Sequence, residues 1–383
     1  MNNFVYAVTT TYLPILLRNL GYTATMVGVL FAIGEVAAIL GPFLFGRLAD
    51  RSGKYKGFIA LVYFLTAVAA FPLALFVHPV LSAILIAMLA VGYRSSTPLI
   101  DAITTINMGE KGNYGKIRLF GSIAFVFFVS FMQWTPVLRP NTPLNIAIWI
   151  SFTSVLAIVV IILFPSKYTT RSSPPESSSP TESFGIIRNE AVQYKSIWSP
   201  VFILGLISIA LSRFAMASVY SFFPLYMVEY IRWDAVGTMI ALASITEIPC
   251  LFFSKRIIRR FGAMPLINFA SAMVALRLAL YALFPFRAGI IVAQLLHSFC
   301  FGIFHPAAVA FISNCVPPER RSFGMTLYLS LGWGVPTLMA NFTSGFIIDH
   351  AGYRVLFGTF TVFPLLGAAI YFIYRSMEKP NLA

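Results

Sequence analysis

The chain has 383 residues, of which 58% are hydrophobic and 10% charged, with a mean hydropathy of +0.83. Soluble domains carry about a quarter charged residues, so the composition excludes an ordinary soluble domain and makes the bilayer the solvent. The net charge of +14 then has to be explained by where the basic residues lie.

A hydrocarbon core about 30 Å thick needs roughly 20 mostly apolar helical residues. Apolar runs of this kind fall at 4–20, 25–47, 57–77, 80–106, 115–137, 142–165, 198–228, 234–256, 264–286, 288–313, 322–348 and 353–374. Twelve transmembrane helices in an all-α membrane protein are therefore expected. The first run is short and no small-residue cleavage pattern follows it, so no cleavable signal peptide is expected.

Lys and Arg accumulate in cytoplasmic loops. With the N-terminus inside, the inner loops and tail hold Arg47, Arg51, Lys54, Lys56, Lys111, Lys116, Lys167, Arg171, Arg188, Lys195, Lys255, Arg256, Arg259, Arg260, Arg320, Arg321, Arg375 and Lys379. The outer loops hold Arg18, Arg139, Arg232, Arg287 and Arg354. This bias accounts for the net charge without a nucleic-acid partner. It predicts cytoplasmic N- and C-termini and a multi-pass protein of the inner (plasma) membrane. Cys250, Cys300 and Cys315 form no Cys-x-x-Cys pair, so no metal is expected. No Gly-rich loop ending in Lys-Ser/Thr is present, which argues against ATP-driven work. No cofactor is expected.

Taken in chain order, the second run carries Glu35 and ends in GRLADRSGKYK, from Gly46 to Lys56. Gly46 and Gly53 suit a tight turn, and Asp50 can cap or pair beside Arg51. The fourth run holds Arg94 and Asp101, seven residues apart and so on one helix face. The fifth holds Arg118. By helical rise, Asp101 and Arg118 lie at similar depth, and a cross-helix pair is feasible. Residues 166–197 open with a Ser/Pro-rich stretch that reads as a flexible linker; 186–194 suits a short interfacial helix. The domains are thus 1–165, the linker 166–197, and 198–383.

The second half carries Arg213, Glu247, Arg277, Gln294, His297 and His305 inside its runs. A charge at the bilayer centre costs at least ~2.5–3.5 kcal/mol, so these groups are candidates for function. Asp101, Arg118, Arg94 and Arg213 suit binding of a hydroxylated or carboxylated solute. Glu247, Arg277, His297, Gln294 and Glu35 suit proton handling, since burial raises a carboxyl pKa and an arginine lowers it. The competing reading is a polar network that only joins helices. Glu35 has Arg94 or Arg213 as possible partners. His305, before Pro306, suits a carbonyl freed at a kink. Tyr93, Tyr220 and Trp333 are candidates to stack on a solute ring.

The halves repeat. VGVLFAIGEVAAILGPFLFGRLADRSG starts at Val27, and VGTMIALASITEIPCLFFSKRIIRRFG starts at Val236, 209 residues on. The same offset pairs YGKIRLFGS at Tyr114 with FGMTLYLSL at Phe323. YLPILL with Pro14 echoes FFPLYM with Pro224, one residue out of step. Such duplication is common in secondary transporters.

GRLADRSGKYK resembles the loop signature of the major facilitator superfamily. The resemblance implies two six-helix bundles, a central cavity and alternating access, with Gly46, Asp50, Arg51 and Gly53 as gating residues. PLIDA…YGKIRLFGS and the order Glu247, Arg277, Gln294-x-x-His297 resemble the phenylpropionate-permease, oligosaccharide and nucleoside proton-symporter branch. That implies Asp101 and Arg118 as solute contacts. Where a sugar-carrying member has an acid three residues after the histidine, this chain has Cys300, which leaves Glu247 as the leading proton site. The expected function is symport of a proton with a sugar, nucleoside or aromatic acid, by a monomer. A multi-spanning enzyme such as an acyltransferase, and a non-transporting sensor, stay open at this point.

Overall fold

The computed structural model describes residues 1–108, 114–135, 141–170, 199–317 and 320–378, with the side chains of 106, 108, 114–118, 322 and 374–378 outside that description. The helices are α1 Asn2–Asn19, α2 Ala24–Ser52, α3 Tyr55–Leu75, α4 Pro79–Met108, α5 Tyr114–Trp134, α6 Pro143–Leu163, α7 Pro200–Leu225, α8 Val236–Phe261, α9 Ala263–Leu283, α10 Arg287–Leu295, α11 Phe304–Cys315, α12 Arg321–Leu327, α13 Val335–Phe360 and α14 Val362–Glu378. Among the described residues, nine stretches are long and apolar enough to cross a membrane. The run expected at 4–20 is helical but is not one of the nine, and the described part of the fifth, Leu119–Trp134, is shorter. The interfacial helix expected at 186–194 lies outside the described residues.

Local chemistry sets the helix ends. Thr23 accepts from Met26 N at 3.2 Å, and Thr142 accepts from Asn145 N at 3.2 Å, with Pro143 at the first position of α6. Both are N-caps that satisfy an otherwise orphaned donor. Wide π turns at Tyr226–Tyr230, Ser298–Ile303 and Tyr328–Gly334 interrupt the helices. The helical backbone of α13 is interrupted at Gly352, whose φ is +80. Leu163, Phe252 and Phe120 are 77%, 75% and 72% exposed, a surface that water would penalise and lipid accepts.

The contacts divide the chain into two compact units. The first comprises Met1–Glu176, Ser221–Ala241 and Asn341–Asp349. In it α3 packs against α4 and α6, α2 against α4, and α1 against α5 and α6. Small residues let the backbones approach. A Cβ on Gly28 of α2 would collide with the Asn341 carbonyl of α13, and one on Gly237 of α8 would lie 3.0 Å from the Val129 carbonyl of α5. Around these crossings Arg18 grips Glu229 with two nitrogens, at 2.6 and 3.2 Å. Asp349 accepts from Ala24 N and Thr25 N at 3.0 and 2.7 Å, capping α2. Gln133 donates to the Asp234 carbonyl and accepts from Gly237 N, at 3.1 and 2.9 Å.

At the α2–α3 turn, the segment after α6 is tied down. Tyr55 N donates to Thr169 O at 3.0 Å, Lys54 and Thr170 form an antiparallel bridge, and Lys56 Nζ donates to Phe164 O at 2.9 Å. The first residues of the expected flexible linker are thus a short turn, Ser166–Tyr168, strapped to this loop.

The second unit comprises Ser177–Tyr220, Leu242–Ala340 and His350–Ala383. Its apolar core gathers Phe202, Ile209, Ile267, Phe304, Phe311 and Tyr328 from α7, α9, α11 and the turn before α13. α14 packs on α9, and Ser208 Oγ donates to Gly367 O at 2.9 Å.

Candidate functional site

In the second unit, four of the expected proton-handling residues converge. Arg277 on α9 is 2% exposed. Its Nε donates to Tyr281 Oη at 3.0 Å, its Nη1 to His297 Nδ1 at 2.8 Å and its Nη2 to Gln294 Oε1 at 2.7 Å. A guanidinium only donates, so His297 Nδ1 accepts. The ring is then the neutral tautomer with its hydrogen on Nε2, the atom that lies 3.5 Å from Glu247 Oε2. The arrangement is a chain from carboxylate to imidazole to guanidinium, built from α8, α9 and the break after α10. That break is the π turn Ser298–Ile303, a feature frequent at functional sites. It brings Gly302 against α8, where an added Cβ would lie 3.0 Å from Cys250 Cβ and 3.2 Å from Glu247 Cγ. Glycine there lets the helices approach closely.

His297, Phe301 and His305 stack their rings in parallel, 5.9 and 5.7 Å apart, within 6° of coplanar orientation. They recur every four residues, so one helix face carries the ladder. His305 Nδ1 lies 2.8 Å from Tyr328 Oη, a side-chain partner where the sequence suggested a backbone carbonyl. Arg213 on α7 lies 3.4 Å from the Trp333 ring centroid and 4.8 Å from that of Tyr220. A guanidinium on aromatic faces gains cation–π attraction. Tyr220 and Trp333 therefore flank an arginine.

In the first unit, Glu35 takes Arg94 as its partner, Nη2 to Oε2 at 3.4 Å. Arg94 Nε also donates to Tyr93 Oη at 3.1 Å, and Tyr6 meets the Tyr93 ring edge-on. Asn2 Oδ1 accepts from Tyr63 Oη at 3.0 Å and Ser96 Oγ at 2.6 Å, and its Nδ2 donates to Thr97 at 2.9 Å. Asp101 is half-buried on α4. The side chain of Arg118 lies outside the described residues, and the Asp101–Arg118 pair with it.

Of the four gating candidates, Gly53 has φ +66, a left-handed cap to α2 that glycine adopts without strain. Gly46 lies inside α2, so it makes no turn, contrary to the sequence reading; its backbone is ordinary helix. Asp50 accepts from Tyr55 Oη at 2.5 Å, and Arg51 is exposed.

Sequence reasoning missed Tyr281, Phe301, Tyr328, Tyr6 and Asn2. Tyr281 was accessible through its four-residue spacing from Arg277. Phe301 was accessible as the midpoint of His297 and His305. Tyr328, Tyr6 and Asn2 are joined to their own partners only by tertiary packing.

The chain is similar in sequence and in fold to known proteins. The uncharacterized transporter YwbF of Bacillus subtilis (strain 168) is 25% identical over 371 residues, covering 93% of this chain and 86% of its own. The probable 3-phenylpropionic acid transporter of Escherichia coli (strain K12) is 22% identical, covering 97% and 93%. A crystal structure of a mutant of the nucleoside transporter NupG superposes with a TM-score of 0.81 at 16% identity, covering 97% and 96%; at that identity the likeness speaks for the fold. Residues 4–359 match the model of the MFS_1 like family. The chain belongs to that family of major facilitator membrane transporters.

Proposed function

We propose that this transporter is a proton-coupled symporter of a small polar or aromatic organic solute, working by alternating access. One observation carries the reading: the Glu247–His297–Arg277–Gln294 network, in which a half-buried carboxyl meets three buried side chains. A carboxyl 3.5 Å from the Nε2 of a neutral imidazole that an arginine holds in one tautomer is a pair between which a proton can pass.

In this proposal the twelve apolar runs are twelve spans. The α10–α11 and α12–α13 segments are each one helix interrupted by a π turn, and α13 ends at Gly352. Two six-helix halves, 1–165 and 198–383, descend from one duplicated unit. The end bearing the basic loops is cytoplasmic, as are both termini, and the monomer sits in the inner (plasma) membrane. Arg94, Asp101, Arg118 and Arg213 contact the solute. The relatives' names, a phenylpropionic acid and a nucleoside transporter, support a solute of one planar ring or a few hydroxyls.

The test is Glu247→Gln in membrane vesicles, with radiolabelled solutes. Glutamine keeps the size but cannot release a proton. Uphill accumulation is expected to stop while solute exchange continues. Accumulation by the variant with an unchanged pH profile would remove Glu247 from the coupling role.

A further inference from the structure

The last turns of α8 carry Lys255, Arg256, Arg259 and Arg260, all of them exposed. They belong to the helix itself, since α8 runs to Phe261 and α9 begins at Ala263. At roughly 3.6 residues per turn, these four cations, Phe252 and Phe253 fall within about 160° of the helix surface. The opposite face holds Ile258, which is part of the apolar core of the second unit. Phe252 and Phe253 are 75% and 50% exposed. The outward face of α8 is thus aromatic for one turn and then cationic to its end.

Among the described residues, none of the four cations has an ion pair or a side-chain hydrogen bond. No Asp or Glu occurs between Glu247 and Glu319, and Glu247 is turned toward His297. The aligned turn of the first half is different. The 209-residue offset sets Gly46, Arg47, Asp50 and Arg51 opposite Lys255, Arg256, Arg259 and Arg260, and Gly53 opposite Gly262. Both Gly53 and Gly262 have positive φ, +66 and +82. In the first turn Asp50 accepts from Tyr55 within the turn; in the second an arginine stands in its place. Orientation in a membrane needs basic residues near the ends of spans. It needs neither the loss of that acid nor a cationic face continuous with exposed phenylalanines.

We infer that this face of α8 is a docking site for an anionic phospholipid, its phosphate on the four cations and its acyl chains along Phe252 and Phe253. Arginine presents a fork of donors that matches phosphate oxygens. Long basic side chains reach from the apolar zone to the headgroup layer, where anionic lipid is attracted. The phenylalanines lie one turn further along α8, at the level of the chains. A zwitterionic lipid brings an ammonium that the neighbouring cations repel. The site is separate from the proton and solute groups and does not rest on symport.

The experiment places the full-length protein in phosphatidylcholine vesicles containing a small fraction of photoreactive phosphatidylglycerol or, in parallel, photoreactive phosphatidylcholine, each with the reactive group on an acyl chain. Cross-linked peptides are located by mass spectrometry. Phosphatidylglycerol is expected to label residues 252–261 at least about tenfold more than phosphatidylcholine, and this excess is expected to fall in high salt. Arg256→Gln with Arg259→Gln is expected to remove most of the excess, while Arg47→Gln with Lys54→Gln in the aligned turn keeps it. The inference is overturned if the two lipids label the segment equally in the unaltered protein, or if the Arg256 and Arg259 double variant keeps the excess. It is also overturned if phosphatidylglycerol labels the segment only after Glu176, Glu182 and Glu190 are replaced by glutamine, since the acids of the linker would then be the occupants of the face.

Discussion

Arg277 serves three acceptors that lie in different directions around one plane. An ammonium is a point donor and cannot reproduce that fork. Arg277→Lys is therefore expected to lower proton-driven uptake by at least about tenfold, because His297 loses the donor that fixes its tautomer. Tyr281→Phe removes a single acceptor and leaves a buried N–H without it, a cost of about 1–3 kcal/mol. That variant is expected to show a lower melting temperature in detergent with the uptake pH profile unchanged. If Tyr281→Phe instead shifts the pH profile as Arg277→Lys does, the phenol belongs to the proton path. Asp50, bonded to Tyr55 in the α2–α3 turn, stands in a different role. Asp50→Asn is expected to slow turnover several-fold with solute affinity kept, and a loss of affinity at normal exchange rates contradicts a gating role. The charged residues themselves were legible in the sequence, because an acid or base inside an apolar run is expensive and conspicuous. Their partners were less so. Nothing in the order of residues says that Glu35 meets Arg94 or that Arg213 lies on Trp333; those contacts are made by helix rotation and side-chain reach.

At the scale of helices, the crossings of the first unit depend on glycine. Gly28 and Gly237 occupy matching places in the two repeats, 209 residues apart. Each meets a neighbouring backbone carbonyl where a Cβ has no space. A valine at either site must push the crossing open. With a reporter cysteine at Ile15, a residue 7% exposed, Gly28→Val is expected to raise its reaction rate with an impermeant maleimide several-fold in intact cells. An unchanged rate would show that α2 and α13 tolerate the side chain by local shift, and that the close contact does no gating. Sequence reading reached the long helices because an apolar run of about 20 residues has one stable form in lipid. It did not reach the π turns at Ser298–Ile303 and Tyr328–Gly334, where an extra residue changes register without changing hydropathy. It also read residues 166–170 as loose linker. Their polar composition gave no hint of the hydrogen bonds to Lys54, Tyr55 and Asn107.

For the whole molecule, two sequence features reach furthest: the placement of eighteen basic residues in one set of loops against five in the other, and the loop GRLADRSGKYK. The first predicts an orientation and the second led to the family that the match over residues 4–359 supports. The solute was not legible, because one fold holds many solutes and the choice is made by a few side chains. What unites the buried groups in one function is the proposal that proton and solute cross together. The most direct measurement is made in weakly buffered proteoliposomes without an imposed gradient, using whichever of phenylacetate, uridine and maltose is transported. On adding that solute outside, the external medium should turn alkaline as protons enter with it. Glu247→Gln should abolish the alkalinisation and keep labelled solute exchange. Entry of labelled solute at full rate with no change in external pH would contradict proton symport.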